Sequence, residues 1–186
     1  GHFIPIDSLG VVNAGHKKFY LPAFSEINRD NELGFSFERI YRCNPQGTVT
    51  LRDFVEQVVK VYGKGGMVSF AWILACIFRD IIFARFKYFP VLNLFGRKGS
   101  GKTELARALS SMFYTLPSTP CSCSNTSIPV IGYNLSHARN SVFILDEYTN
   151  DLMPQRIDIL KGLWGGTALS KMEDGIPVTI PVTSGV

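Results

Sequence analysis

Eight residues constrain this chain more than any others: Gly96-Arg-Lys-Gly-Ser-Gly-Lys-Thr103. The apolar run "VLNLF" (91–95) leads into them. A segment with Leu105, Leu109, Met112 and Phe113 at helical spacing leads out. A packed core gains nothing from such a loop, because glycine costs backbone entropy and lysine resists burial. The stretch fits G-x-x-x-x-G-K-[ST] at every defined position, in the strand–loop–helix setting that this motif requires. Gly96, Gly99 and Gly101 let the chain curl with its amides turned inward to a phosphate. A helix starting near Lys102 adds its positive end. Lys102 reaches the β- and γ-phosphates as a catalytic point charge, and the Thr103 hydroxyl ligates Mg²⁺. Nucleotide contacts are expected from Gly96, Arg97, Lys98, Gly99, Ser100, Gly101, Lys102, Thr103 and Glu104, with Arg97, Lys98 and Ser100 contributing backbone only. ATP and Mg²⁺ are the implied cofactors.

A second stretch fits the same chemistry. In "VFILDEY" four apolar residues run into Asp146 and Glu147. A buried strand that ends at solvent often ends in acids, so the pair alone decides little. After a phosphate loop it reads as a Walker B strand. Asp146 would hold Mg²⁺ through water, and Glu147 would orient and polarise the attacking water as the catalytic base. An acid pair of this kind favours ATP hydrolysis over transfer of phosphate to a small molecule.

The rest of the chain supplies the frame. Its 186 residues suit one domain with a small lobe. Residues 1–46 form a β-rich segment: "HFIPID", "KFYLPAFSEI" and "FSFERIYRC" read as strand-like pieces, with Pro5 and Pro22 at edges. Residues 47–89 form a helical lobe. Thr50 caps a helix that Gly63 to Gly66 ends, and a second helix, apolar nearly all round, runs over 67–87. Residues 90–186 form an α/β core: strand 91–95, the loop, a helix through Phe113, a loop over 115–126, a helix over 127–138, the acidic strand, and a helix from Pro154 on which Ile157, Leu160 and Trp164 share a face. A hairpin turning at Glu173 to Gly175 ends it. This order, with the motif, predicts a P-loop NTPase core, a parallel sheet flanked by helices.

Composition narrows the alternatives. A net charge of +4 is compatible with a phosphate-bearing partner without requiring one. Four cysteines (Cys43, Cys76, Cys121, Cys123) lack zinc spacing and suit a reduced, intracellular protein. The apolar run 67–78 is too short to span a bilayer. His2, His16 and His137 form no cluster with an acid.

"FPVLNLFGRKGSGKTELARAL", "ARNSVFILDEYTNDL" and "KGLWGG…KMEDGIPVTIPVTSGV" resemble the ATPase part of primase–helicases of phages and mobile elements, notably of Bacteroides-type bacteria. These are similar to superfamily-3 helicases and AAA+ ATPases. The upstream "FIPIDSLGVV…KKFYLPAFSEI" resembles the segment before the motor in the same proteins. The resemblance implies ATP-driven movement on single-stranded DNA by a homo-oligomeric ring, a hexamer, in the bacterial cytoplasm. It also implies an arginine finger and a sensor residue on a further central strand, which the sequence enters as it stops at Val186, so the core is expected to be truncated at its C-terminus. Arg139 and Arg156 read as surface residues rather than as that finger, and the hairpin near Lys171 reads as solvent-exposed rather than DNA-touching. Two further classes compete: a nucleotide-operated switch or helicase loader with slow turnover, and a small-molecule phosphotransferase, for which no arginine-bearing lid is evident.

Overall fold

The computed structural model describes residues 11–20, 48–113, 121–137 and 139–186. In chain order these form β1 (Val11–Ala14), β2 (Lys17–Tyr20), α1 (Leu51–Ile77), α2 (Arg79–Phe86), α3 (Lys102–Ser110), β3 (Cys121–Ser122), α4 (Ile128–His137), β4 (Leu145–Asp146), α5 (Pro154–Trp164), β5 (Thr167–Glu173) and β6 (Ile176–Pro181).

Period-two burial organises the centre. β3 and β4 pair in parallel. A parallel bridge joins Val142 to Gly185, and the Leu92 amide donates to the Val186 carbonyl at 2.9 Å. Four extended segments therefore lie side by side in the order 121–122, 142–146, 184–186 and 91–95. Side chains alternate between the two faces of such a layer. Val142, Ile144, Leu92 and Leu94 join α1, α2 and α3 in one core around Ile73, Cys76, Leu105 and Leu109. Phe143, Leu145 and Val186 join α4, α5 and the last hairpin in a second core around Leu135, Ile159 and Leu163. Helices thus cover both faces of a thin central layer.

Gly185 allows the first face to close. A Cβ there would lie 2.3 Å from the Cys76 sulfur and 3.0 Å from the Trp72 ring, so α1 rests directly on the backbone of segment 184–186. Trp72 Nε1 donates to the Pro90 carbonyl at 2.8 Å, which ties α1 to the start of segment 91–95 as well.

Several sequence expectations need correction. The expected end of the first helix at Gly63 is present, as a break between two helices that together make up α1. That residue leaves helical geometry (φ 57°, ψ −136°), but α1 resumes and runs to Ile77. The helix expected over 67–87 is interrupted by a further corner at Phe78, where α1 and α2 meet at 84°. Glycine tolerates the break, Gly66 closes onto the Val58 carbonyl across it, and Trp72, Ile73 and Cys76 anchor the second half in the core. That second half is not buried all round, since Met67, Val68 and Phe78 are exposed. Segment 91–95 is extended but forms no named strand, and Phe95 is 97% exposed. The region expected to be loop over 115–126 contributes β3. On α5 the buried residues are Ile159 and Leu163, while Trp164 turns outward and stacks on Tyr88 at 4.8 Å.

The final hairpin turns at Asp174-Gly175, both in the left-handed region (φ 50° and 78°), as a two-residue turn demands. Of the N-terminal pieces only the β1–β2 hairpin lies among the described residues. "HFIPID", "FSFERIYRC", Pro5, Pro22, His2 and Cys43 lie outside them. Among the described residues no single helix is long and apolar enough to cross a membrane.

Candidate functional site

The glycine loop leaves the central layer at residue 95 and enters α3 at Lys102. Gly99 and Gly101 both sit at φ +80°, a conformation that side chains rarely adopt. The Ser100 amide donates to the Arg97 carbonyl at 3.2 Å, which closes a tight turn. Gly101 is the N-cap of α3 and offers no side-chain cap. The amides of Lys102, Thr103 and Glu104 belong to a first helical turn, where N–H groups have no partner within the helix. The loop thereby presents donors and a positive helix end, with Glu104 the acid of that first turn. Glu104 pairs with Arg107 at 2.9 Å, one turn on.

Lys102 does not extend into solvent. Its ammonium donates to the Gly96 carbonyl at 3.0 Å and to the Arg97 carbonyl at 2.9 Å. A Cβ on Gly96 would meet the Ser100 hydroxyl at 2.9 Å, so the loop has little room on its inner side. Arg97 and Lys98 are exposed, and Arg97 serves the loop through its carbonyl.

The acids stand at the end of segment 142–146. Segment 142–146 is separated from segment 91–95 by segment 184–186 alone. Two such spacings amount to about 10 Å across a sheet. Asp146 is half-buried, and one of its oxygens accepts the Glu147 amide at 2.8 Å. Glu147 is exposed and in the left-handed region at φ 59°. Its carboxylate accepts the Ser122 hydroxyl at 2.5 Å. Ser122 lies on β3, on the side of β4 away from the glycine loop, so Glu147 leans outward rather than toward the loop.

The two arginines are engaged elsewhere. Arg156 donates to the Cys123 and Thr126 carbonyls at 2.6 and 2.7 Å, which pins the β3–α4 connection onto α5. It is a half-buried tether, not the surface residue that the sequence suggests. Arg139 pairs with Asp80 at 3.3 Å. Burial alone would raise the Asp80 carboxyl, but its bonds to Asn140, to the Ile81 amide and to Arg139 together hold it below the usual range.

Two residues that sequence reasoning passed over belong to the site's surroundings. Ser122 lies in a Ser/Cys-rich stretch with no periodicity to mark it. Tyr62 reads as one more core residue at helical spacing, yet its hydroxyl reaches the loop. Its phenol O–H donates to the Gly101 carbonyl at 3.1 Å. Among the described residues no three His, Cys, Asp or Glu side chains gather to hold a metal by themselves. No protein-family model, no curated protein and no solved structure matches the chain.

Proposed function

We propose that this chain is the ATP-binding and hydrolysing part of a DNA replication helicase of the primase–helicase kind. The observation that carries the reading is the loop itself. Gly99 and Gly101 hold the left-handed turns that a complete G-x-x-x-x-G-K-T motif needs, and they open an uncapped helix. Lys102 lies across that loop on two carbonyls, ready to exchange them for phosphate oxygens.

The donors suit the cofactor. The Thr103 hydroxyl and the Asp146 carboxylate are hard oxygen ligands. Mg²⁺ characteristically takes one or two such ligands together with substrate phosphates rather than an all-protein cage. When bound, the ion neutralises charge on the β- and γ-phosphates. The chain's own residues do the rest: amides of the loop bind and orient, Lys102 adds a fixed positive charge, and Glu147 orients water once it leaves Ser122. Movement on single-stranded DNA and assembly into a ring are supported by the resemblance of the motif-bearing segments.

One observation favours a second reading. The bond from Ser122 to Glu147 keeps the proposed base turned away, as suits a nucleotide-operated switch with slow turnover. ATPase measurements on the full chain with and without single-stranded DNA separate the two. Stimulation by DNA supports the motor, and indifference supports the switch. Lys102→Ala is expected to lose ATP binding or hydrolysis in either case. Unchanged activity in that variant rejects the nucleotide site altogether.

A further inference from the structure

Tyr62 reaches the glycine loop from 39 positions upstream, on the helical lobe rather than on the α/β core. It touches one specific group. The Gly101 carbonyl accepts the Leu105 amide at 2.9 Å, the first bond of α3, and accepts the Tyr62 hydroxyl at 3.1 Å as its second donor. A carbonyl oxygen has two lone pairs, so both places are filled. The Tyr62 ring also occupies the space beside Gly101. A Cβ there would lie 3.0 Å from the hydroxyl oxygen and 3.4 Å from the ring edge.

The peptide group involved is shared. Its oxygen belongs to Gly101, and its N–H belongs to Lys102. A donor on the oxygen polarises the same amide and makes its N–H a stronger donor, because hydrogen bonds in a chain reinforce one another. That N–H is the first of α3 and has no partner within the helix. The path runs from the Tyr62 hydroxyl through the Gly101 carbonyl to the Lys102 amide.

Tyr62 is also held where it can act. Gly63 leaves helical geometry directly after it, so Tyr62 is the last residue of the first half of α1. Gly66 lets the second half close onto it: a Cβ on Gly66 would lie 2.6 Å from the Val58 carbonyl oxygen and 3.1 Å from the Tyr62 Cβ.

We infer that Tyr62 is a positioning residue for nucleotide: it fixes and polarises the Gly101–Lys102 peptide, and so couples the helical lobe to the phosphate loop. The inference rests on the nucleotide reading above. It adds that affinity depends on a hydroxyl outside the motif.

The test uses the full chain and Mg·ADP with a fluorescent ribose label. Tyr62→Phe removes only the hydroxyl. It is expected to weaken binding about five- to tenfold, the scale of one net hydrogen bond. In ATP turnover it raises KM and leaves kcat close to the parent value, because the bond places the loop and not the water. Trp72→Phe is the control. It removes a bond of similar length from the same helix to the Pro90 carbonyl, away from the loop. Nucleotide affinity in that variant should match the parent. If Tyr62→Phe binds as the parent does, or if Trp72→Phe weakens binding equally, the inference is overturned while the nucleotide site stands. A parent chain that binds no nucleotide, or a Lys102→Ala variant that binds equally well, removes both.

Discussion

Glu147 illustrates how much a single residue's posture matters. A left-handed backbone at a non-glycine position costs about 1–3 kcal/mol, and here it directs a carboxylate onto Ser122. If Glu147 orients water as proposed, Glu147→Gln retains Mg·ATP but loses turnover, measured as phosphate release against nucleotide binding. Ser122→Ala should act in the opposite sense and raise the basal rate, since the carboxylate loses its alternative partner. Cys76 gives a prediction that is independent of function. It is fully buried against Gly185, and burial pushes its thiol up to about 12 from an ordinary 9.0, with Arg79 pulling weakly the other way. The folded protein therefore keeps this proton where the unfolded chain loses it. Stability is constant below the ordinary value and falls as pH rises from there toward the folded one. Urea midpoints through the alkaline range should show this loss, and Cys76→Ala should flatten it.

At the scale of elements, α1 is the most informative. It begins with a reciprocal cap, in which Thr50 accepts the Asp53 amide and Asp53 accepts the Thr50 amide. It breaks once at Gly63 and continues because its far half packs on Gly185 and the Pro90 carbonyl. Gly63→Ala forces a side chain into a backbone region that it disfavours. It should cost about 1–3 kcal/mol in denaturant unfolding. A normal stability would mean that the break is not needed. α5 shows the complementary case. Its start read correctly from Pro154, but its buried face did not, because the Tyr88 ring offered Trp164 a stacking partner at the surface.

For the whole molecule, the question is whether the two cores are one cooperative unit. Leu109 belongs to the core under α1 and α3, and Leu135 to the core under α4 and α5. Only a thin extended layer separates them, and its alternating side chains serve both. Leu109→Ala and Leu135→Ala should each cost about 2–5 kcal/mol. Each should shift a single unfolding transition, followed by Trp fluorescence and circular dichroism together. Two separated transitions in either variant would show that the faces fold independently.

The sequence by itself determined the local chemistry: the glycine loop, its lysine and threonine, the acid pair, the capping residue Thr50 and the Asp-Gly turn. Each depends on a few contiguous residues whose backbone preferences or charges are intrinsic. Tertiary structure alone decided the lateral order of the four extended segments and the corner at Phe78 between α1 and α2. It also decided that Glu147 rests on Ser122, that Arg156 is a tether, and that Tyr62 reaches Gly101. These three side-chain contacts join residues from 25 to 39 positions apart. Local periodicity cannot encode such meetings, because a side chain's partner across a layer is set by how whole elements pack.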